Sequence, residues 1–353
     1  MTLVATRLDK LRAIVNADKN ERRVSRYGVL NMFATQTDSP LSFITEEMKQ
    51  KAWESVGRGL AVPVIDHNSG LQIKNVANLV IAPVDNTSKM MEVTFKRYAF
   101  EFTTEPALHM NNSIDVQRDF NAKMLGFIIK LGKQLEEDLV VALEANKTQV
   151  IANPLHYAVA GNTIEALWKW RKDVLGDLDP IMHANDYFKG LDIVGNAGLQ
   201  SLLGSLEELG MYNSENKAGQ YANKRVHLSE RVENADATDY GTGFAVEDGN
   251  LGLLFRVERD AQMFSKGHKH QWGQTTLPIL GLPCGTFYYN DGVDLSDKEA
   301  DMTRTLRDHF GFCFDMAIVT PYNSDPATNA TPILKYTIKR ESEKDAIMVK
   351  QLP

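Results

Sequence analysis

The sequence predicts a mixed α+β fold built around one long helix. Three observations carry this: an unbroken helical period over residues 113–147, a run of extended segments before it at 60–104, and alternating strand and helix signatures after it, closing on strands at 311–320 and 332–339.

In the long helix, Val116, Phe120, Met124, Phe127, Ile128, Leu131, Leu135, Leu139, Ala142 and Leu143 recur at three- and four-residue spacing and form one stripe. Arg118, Lys123, Lys130, Lys133, Glu137 and Lys147 fall largely off it. Asn112 or Ser113 suits the N-cap, Asp115 and Asp119 lie near the positive end of the dipole, and Lys147 lies at the other end. At 1.5 Å per residue the element would be roughly 50 Å long, more than a compact domain needs and suited to a spine.

Ahead of it, Leu3, Leu8, Leu11, Ile14 and Val15 mark a short helix over residues 1–16, and the charged segment 17–25 reads as extended, so the two form an arm. A second helix is expected over 45–57, capped by Ser42 or Thr45, with Met48, Ala52 and Trp53 on one side and Gly57 and Gly59 ending it. Strands at 60–66 and 71–76 flank the turn His67-Asn68-Ser69-Gly70, and a second pair at 77–84 and 90–104 is joined through 85–88. Pro63 suits an edge. Val93 and Phe95 have the opposite parity to Tyr98, Phe100 and Phe102, which calls for a bulge or a change of face near residues 96–97. The whole stretch reads equally as a sheet of a compact domain or as a long two-stranded arm. Residues 1–25 and 60–91 carry apolar groups for which too few local partners are expected in a monomer.

Beyond the spine, Asn162 or Thr163 opens an expected helix through 175, containing Ile164, Leu167, Trp168 and Val174 and stopped by Gly176-Asp177-Leu178-Asp179-Pro180. A strand at 191–194 turns through Gly195-Asn196 into a helix at 197–209 that Gly210 ends. Strands are expected at 225–228, 242–246 and 251–257, then an irregular stretch at 275–289 ending in a strand at 286–289, then a helix at 297–309. The strands at 311–320 and 332–339 read as an antiparallel hairpin across the polar loop 321–331. No linker of low complexity separates these parts, so the domains should interleave.

Composition narrows the class of function. The chain has 353 residues, 43% hydrophobic and 24% charged, enough for about two domains with a real core. A formal charge of −7 gives no basic footprint for gripping nucleic acid, although a shell that only encloses it tolerates this balance. Two cysteines, Cys284 and Cys313, read as small core residues and suit a reducing compartment. Residues 1–15 are charged throughout, unlike a signal peptide, and no apolar run approaches membrane-spanning length, so the expectation is a soluble chain of intracellular origin with no membrane partner.

Catalytic and binding signatures are weak. Residues 126–134 have the wrong spacing for a phosphate loop and lie in the helix, and Tyr240-Gly241-Thr242-Gly243 lacks the third glycine of a dinucleotide site and reads as a turn. His268 and His270 could offer two metal nitrogens with Glu258 or Asp260, yet no third ligand has motif spacing, and 266–270 reads as a solvated basic loop. Cys284 or Cys313 with His309 has no flanking signature of a nucleophile and base. Acidic clusters at 236–239 and 136–138 read as solvated faces, and Trp168 and Trp170 fall on opposite sides of their expected helix, so at least one should lie at a boundary or interface. The expectation is no catalytic residue, no cofactor and no metal.

The element order, with VTFKRYAFEF at 93–102 leading into Asp115-Val116-Gln117-Arg118-Asp119 and FKGLDIVGNAG at 188–198, resembles the tailed-phage major capsid proteins of the Hong Kong 97-like fold. The resemblance spans nearly the whole chain. It implies an N-terminal arm and helix at 1–56, an extended β loop at 57–98, a peripheral domain at 99–150 and 318–353 carrying the spine helix 113–147, and an axial domain at 151–317. It implies a major capsid protein, with no enzymatic turnover, that self-assembles as pentamers and hexamers into the icosahedral shell of a bacteriophage virion in the host cytoplasm. Double-stranded DNA would be enclosed without sequence-specific binding, and a portal and decoration proteins would be partners. The short arm stands where many relatives carry a cleaved extension, which implies a separate scaffolding protein or a mature chain. Lys89 lies near a loop tip where some relatives form a lysine–asparagine crosslink, and an exposed turn lysine is the reading preferred here. An encapsulin-like nanocompartment shell and a soluble α+β enzyme are the alternatives.

Overall fold

The long helix forms over nearly its expected span. In the computed structural model, which describes residues 3–17, 27–55, 59–65, 88–109, 112–208, 224–257, 271–290 and 307–340 other than 324 and 326, it covers Ser113–Asn146. The Asn112 side chain caps it by accepting from the Ile114 N–H at 3.0 Å. Val116, Phe120, Met124, Ile128, Leu131, Leu135, Leu139 and Leu143 are buried, and Phe127 is half-buried. Five further helices are described: α1 (Leu3–Ala17), α2 (Gly28–Thr37), α3 (Glu46–Glu54), α5 (Val174–Ala184) and α6 (Ala197–Glu208), the spine being α4.

The strands are β1 (Leu60–Ile65), β2 (Ser88–Val93), β3 (Lys96–Thr104), β4 (Ala158–Ala160), β5 (Thr163–Ala166), β6 (Leu191–Gly195), β7 (Lys224–Leu228), β8 (Asp239–Glu247), β9 (Gly252–Arg256), β10 (Gln271–Thr276), β11 (Pro283–Asn290), β12 (Asp308–Val319) and β13 (Ile333–Lys339). They make a ribbon β1-β2, a five-stranded antiparallel sheet β10-β11-β12-β3 with β9 on the far end of β12, and a six-stranded mixed sheet β4-β5-β13-β8-β6-β7.

Alternation explains how two sheets and one spine share a core. In β8, Phe244 and Val246 enter the core that holds the α4 stripe, while Ala245 enters the core of α5 and α6; in β13 Ile333 goes to the first and Leu334, Tyr336 and Ile338 to the second. From the other sheet, Phe102 and Phe310 meet Phe120 at ring distances of 5.4 and 5.0 Å, and Phe127 lies parallel to Phe100 at 5.2 Å. A third, smaller core seats the ribbon: Val62 and Val93 pack with Ala52 of α3, Leu254 of β9, and Ala317 and Val319 of β12.

Several expectations are corrected. The expected helix over 163–175 does not form as one element, and only its last two residues are helical, as the start of α5: Ala160 and Thr163 close a hairpin through Gly161 and Asn162, both at positive φ, and β5 then pairs in parallel with β13, burying Ile164 and Ala166 at period two. The run 176–180, expected to stop that helix, lies inside α5, where Pro180 forfeits one backbone bond while Val174, Leu178, Ile181 and Met182 gain burial. The strands β12 and β13 are not a hairpin; they belong to different sheets, and the loop between them crosses from one to the other. Residue 307 is irregular and 308–309 are strand, and 297–306 of the expected helix lie outside the described residues. The stretch 275–289 is two paired strands joined by a turn at 277–282. The segment 90–104 breaks at Thr94-Phe95, where the chain leaves the ribbon for the five-stranded sheet, which accounts for the parity change.

The helix α2 carries no helical signature in the sequence, because Tyr27 supplies no side-chain cap and the buried positions of Gly28-Val-Leu-Asn-Met-Phe-Ala-Thr-Gln-Thr include the polar Gln36 and Thr37. Strand β1 pairs with β2, from Leu60↔Val93 to Ile65↔Ser88, so its partner is not the expected strand at 71–76. That strand, the turn at 67–70 and the strand 77–84 lie outside the described residues, as do 18–26. The arm is also corrected in part: Val4, Leu8 and Leu11 of α1 are buried within this chain, and Arg7 lies 5.7 Å from the Phe120 ring and 5.4 Å from that of Phe310.

Candidate functional site

Two charge knots, each centred on a buried carboxylate, fix how the elements meet. Asp315 of β12 accepts from Arg97 Nε at 2.8 Å and Arg256 Nε at 2.9 Å, and Arg256 also donates to the Ser55 carbonyl at 3.2 Å and lies 4.1 Å from the Phe95 ring. Burial pushes the Asp315 carboxyl up, but the two guanidinium groups outweigh it and hold it below the usual carboxylate range. These residues join β3, β9, β12, the end of α3 and the β2–β3 junction, so the clamp anchors the base of the ribbon.

The second knot is Glu136. It is buried, accepts from the Leu30 N–H at 2.6 Å at the start of α2, and accepts from the Ser229 hydroxyl just after β7. Burial raises its carboxyl above the ordinary value against these hydrogen bonds. Neither knot was read from the sequence. A signal existed for the second: Gly132, Glu136, Leu139 and Leu143 share a helical stripe, and a carboxylate on an apolar stripe implies a buried, satisfied group.

The structure disperses the chemistry-bearing residues considered from sequence. His309 and Cys313 share a strand four residues apart, about 13 Å along it, and His309 stacks on Tyr289 at 4.2 Å and meets Glu101 at 3.0 Å. Cys284 is buried with its thiol pushed up by that burial, and neither cysteine is in a disulfide. Glu136, Glu137 and Asp138 point to separate partners, the last two to Arg231 and to Lys96 with Tyr98. Asp239 binds Lys339 and the Asp236 N–H, while Asp236 caps Thr238. These acids are therefore structural, and not the solvated faces expected at Glu136 and Asp239. Residues 126–134 are helix, and 240–243 are in β8, correcting the turn reading. Lys89 is in the backbone of β2. Glu258, Asp260, His268 and His270 lie outside the described residues. Among the described residues, no group of three His, Cys, Asp or Glu could hold a metal, and no helix is long and apolar enough to cross a membrane.

What the surface offers is unpartnered apolar area. Met90 is 65% exposed on the ribbon, Leu108 71% and Ile114 64% at the start of the spine, Val141 66% near its end, and Phe188 69% before β6. The chain is similar to phage capsid structures. The capsid asymmetric unit of cyanophage Pam1 aligns at 11% identity over 83% of this chain and 88% of that one, with a TM-score of 0.45. That of cyanophage A-1(L) aligns at 12% identity over 78% and 87%, with a TM-score of 0.44. A structure of Mycobacterium phage Che8 aligns at 12% identity over 84% and 89%, with a TM-score of 0.45. No protein-family model and no curated relative matches the sequence.

Proposed function

We propose that this chain is the major capsid protein of a tailed bacteriophage, of the Hong Kong 97-like type, and that it acts by assembling rather than by turnover. The observation that carries the reading is the β1–β2 ribbon. It belongs to neither larger sheet; among its described side chains Leu60, Val62, Met91 and Val93 lie against a core, and Ala61, Pro63, Met90 and Glu92 turn outward. A two-stranded ribbon is marginal alone in water, and a clamp as strong as Arg97–Asp315–Arg256 at its base suits an element that bears load from a neighbour. The proposed organisation is an arm and helix at 1–56, an extended loop at 57–98, a peripheral domain at 99–150 and 318–353, and an axial domain at 151–317. Pentamers and hexamers would close an icosahedral shell around double-stranded DNA, with a scaffolding protein, portal and decoration proteins as partners and assembly in the host cytoplasm. The net charge suits confinement of DNA that brings its own counterions.

The test is electron microscopy of the purified chain, alone and co-expressed with its neighbouring gene products. Closed particles tens of nanometres across, on the order expected of closed icosahedral symmetry, are the expected outcome, with nuclease-protected DNA when packaging proteins are present. Particles that enclose only a cargo enzyme would instead support a nanocompartment shell. A chain that stays monomeric under every condition would overturn both.

A further inference from the structure

The second apolar-rich surface lies on the six-stranded sheet, where β5 leaves through Trp168-Lys169-Trp170-Arg171-Lys172. The His156 ring lies 4.1 Å from that of Trp170 and 4.2 Å from that of Tyr157, whose hydroxyl donates to Asp177 at 2.7 Å. Trp168 meets Tyr240 edge-on at 4.8 Å. Arg171 lies 4.3 Å from the Trp168 ring centre and Lys169 Nζ 5.2 Å from that of Trp170. Leu155, Val159 and Leu167 are exposed in the same segment. Elsewhere in this sheet Arg225, Lys335 and Lys339 each hold a carboxylate. Among the described residues Lys169, Arg171 and Lys172 hold none, and of the near acids Asp177 is taken by Tyr157 and only Asp173 follows directly.

Resting on the shell reading above, we infer that residues 155–172 are a docking surface for an acidic face of a second copy of this chain, engaged head to tail. Tryptophan, tyrosine and arginine beside exposed leucines are the composition of an energetic interface centre. Charge selects the occupant. The chain carries 46 acidic against 39 basic residues, so with three cations concentrated here the rest of a second copy presents a still larger acidic surplus. Charge also selects the symmetry: a two-fold contact would press two sets of three uncompensated cations together, whereas a head-to-tail contact pairs unlike surfaces and closes into rings. A single-stranded nucleic acid fits less well, because Trp168 and Trp170 are already covered by Arg171, Lys169 and His156, leaving little ring face for a base.

The experiment uses the full chain with Lys169→Glu and Lys172→Glu together. Melting should fall only slightly, since neither lysine is in an ion pair or core and Lys169 gives up one exposed cation–π contact with Trp170, while the subunit concentration needed for assembly rises about tenfold or more and loses its salt sensitivity. Carbodiimide coupling of mixed isotopically light and heavy wild-type copies should join Lys169 or Lys172 to carboxylates of a different copy. Variant particles forming at wild-type concentration, or couplings confined to one copy, would overturn the inference while leaving the shell reading intact. Loss of affinity for a single-stranded oligonucleotide with unchanged assembly would overturn it in favour of nucleic acid. Failure of wild type itself to assemble would sink the shell reading, and sedimentation with coupling would then judge the surface directly: concentration-dependent association lost in the variant supports it, and none in wild type overturns it.

Discussion

Glu136 shows how one side chain can set the pH response of the fold. Its carboxyl titrates higher in the folded chain than in the unfolded one, so between about pH 4.3, the ordinary glutamate value, and its raised value the native state keeps a proton that the unfolded chain has lost. Stability therefore falls as pH rises through that window. Glu136→Gln should flatten this slope, and Glu136→Leu, which orphans the Leu30 N–H and the Ser229 hydroxyl, should cost about 1–3 kcal/mol. Asp315 works in the opposite sense. Its carboxyl is held low by Arg97 and Arg256, so its contribution is present above about pH 3.9 and is lost as pH falls through the depressed value. Thermal melts of wild type, Glu136→Gln and Asp315→Asn across acidic pH check both signs. If the wild-type melting temperature is flat just above the ordinary glutamate value, the account of Glu136 is wrong.

At the scale of elements, the spine carries two glycines with opposite demands. A Cβ on Gly126 would meet nothing within 4 Å, whereas one on Gly132 would stand 2.5 Å from the Tyr27 ring that enters α2. Gly126→Ala should therefore stabilise by about 0.8–1 kcal/mol through helix propensity alone. Gly132→Ala should destabilise, because Tyr27 is 8% exposed and has little room to yield. The same helix separates two phenylalanines: Phe120 is fully buried between Phe102 and Phe310, and Phe120→Ala should cost about 3–5 kcal/mol, while the half-buried Phe127 should cost less. Urea unfolding of the four variants measures all of these, and equal losses at Phe120 and Phe127 would contradict the packing.

Across the whole molecule, hydrogen exchange separates what is complete in one copy from what awaits another. Helix α1 has its apolar stripe and Arg7 seated in its own chain, so its amides should be protected in free subunits and change little on assembly. The ribbon, cored on one side only, should exchange faster in free subunits and slow on assembly. Strong, equal protection of β1 and β2 in a demonstrated monomer would remove the ribbon as evidence for a shell.

Sequence by itself determined the elements whose signal is local and repeated. The spine's period, β6 with α6, and the caps to within two candidates each, Asn112 or Ser113 for the spine and Ser42 or Thr45 for α3, needed no partner to be read, because spacing and capping are properties of neighbouring residues; the structure chose Asn112 and Thr45. Tertiary structure alone decided the rest. Thr163–Ala166 became strand because β13, far along the chain, offered a parallel edge, and α5 kept Pro180 because its apolar face had a sheet to cover. The β12 and β13 strands went to different sheets, since alternation says which face a strand buries but not against what. Asp315 looks in sequence like any acid, and Glu136 is marked only by its place on an apolar stripe; the amide, hydroxyl and guanidinium groups that define the two come from segments up to 218 residues away. A charge knot is a property of long-range juxtaposition, and no local pattern names its partners.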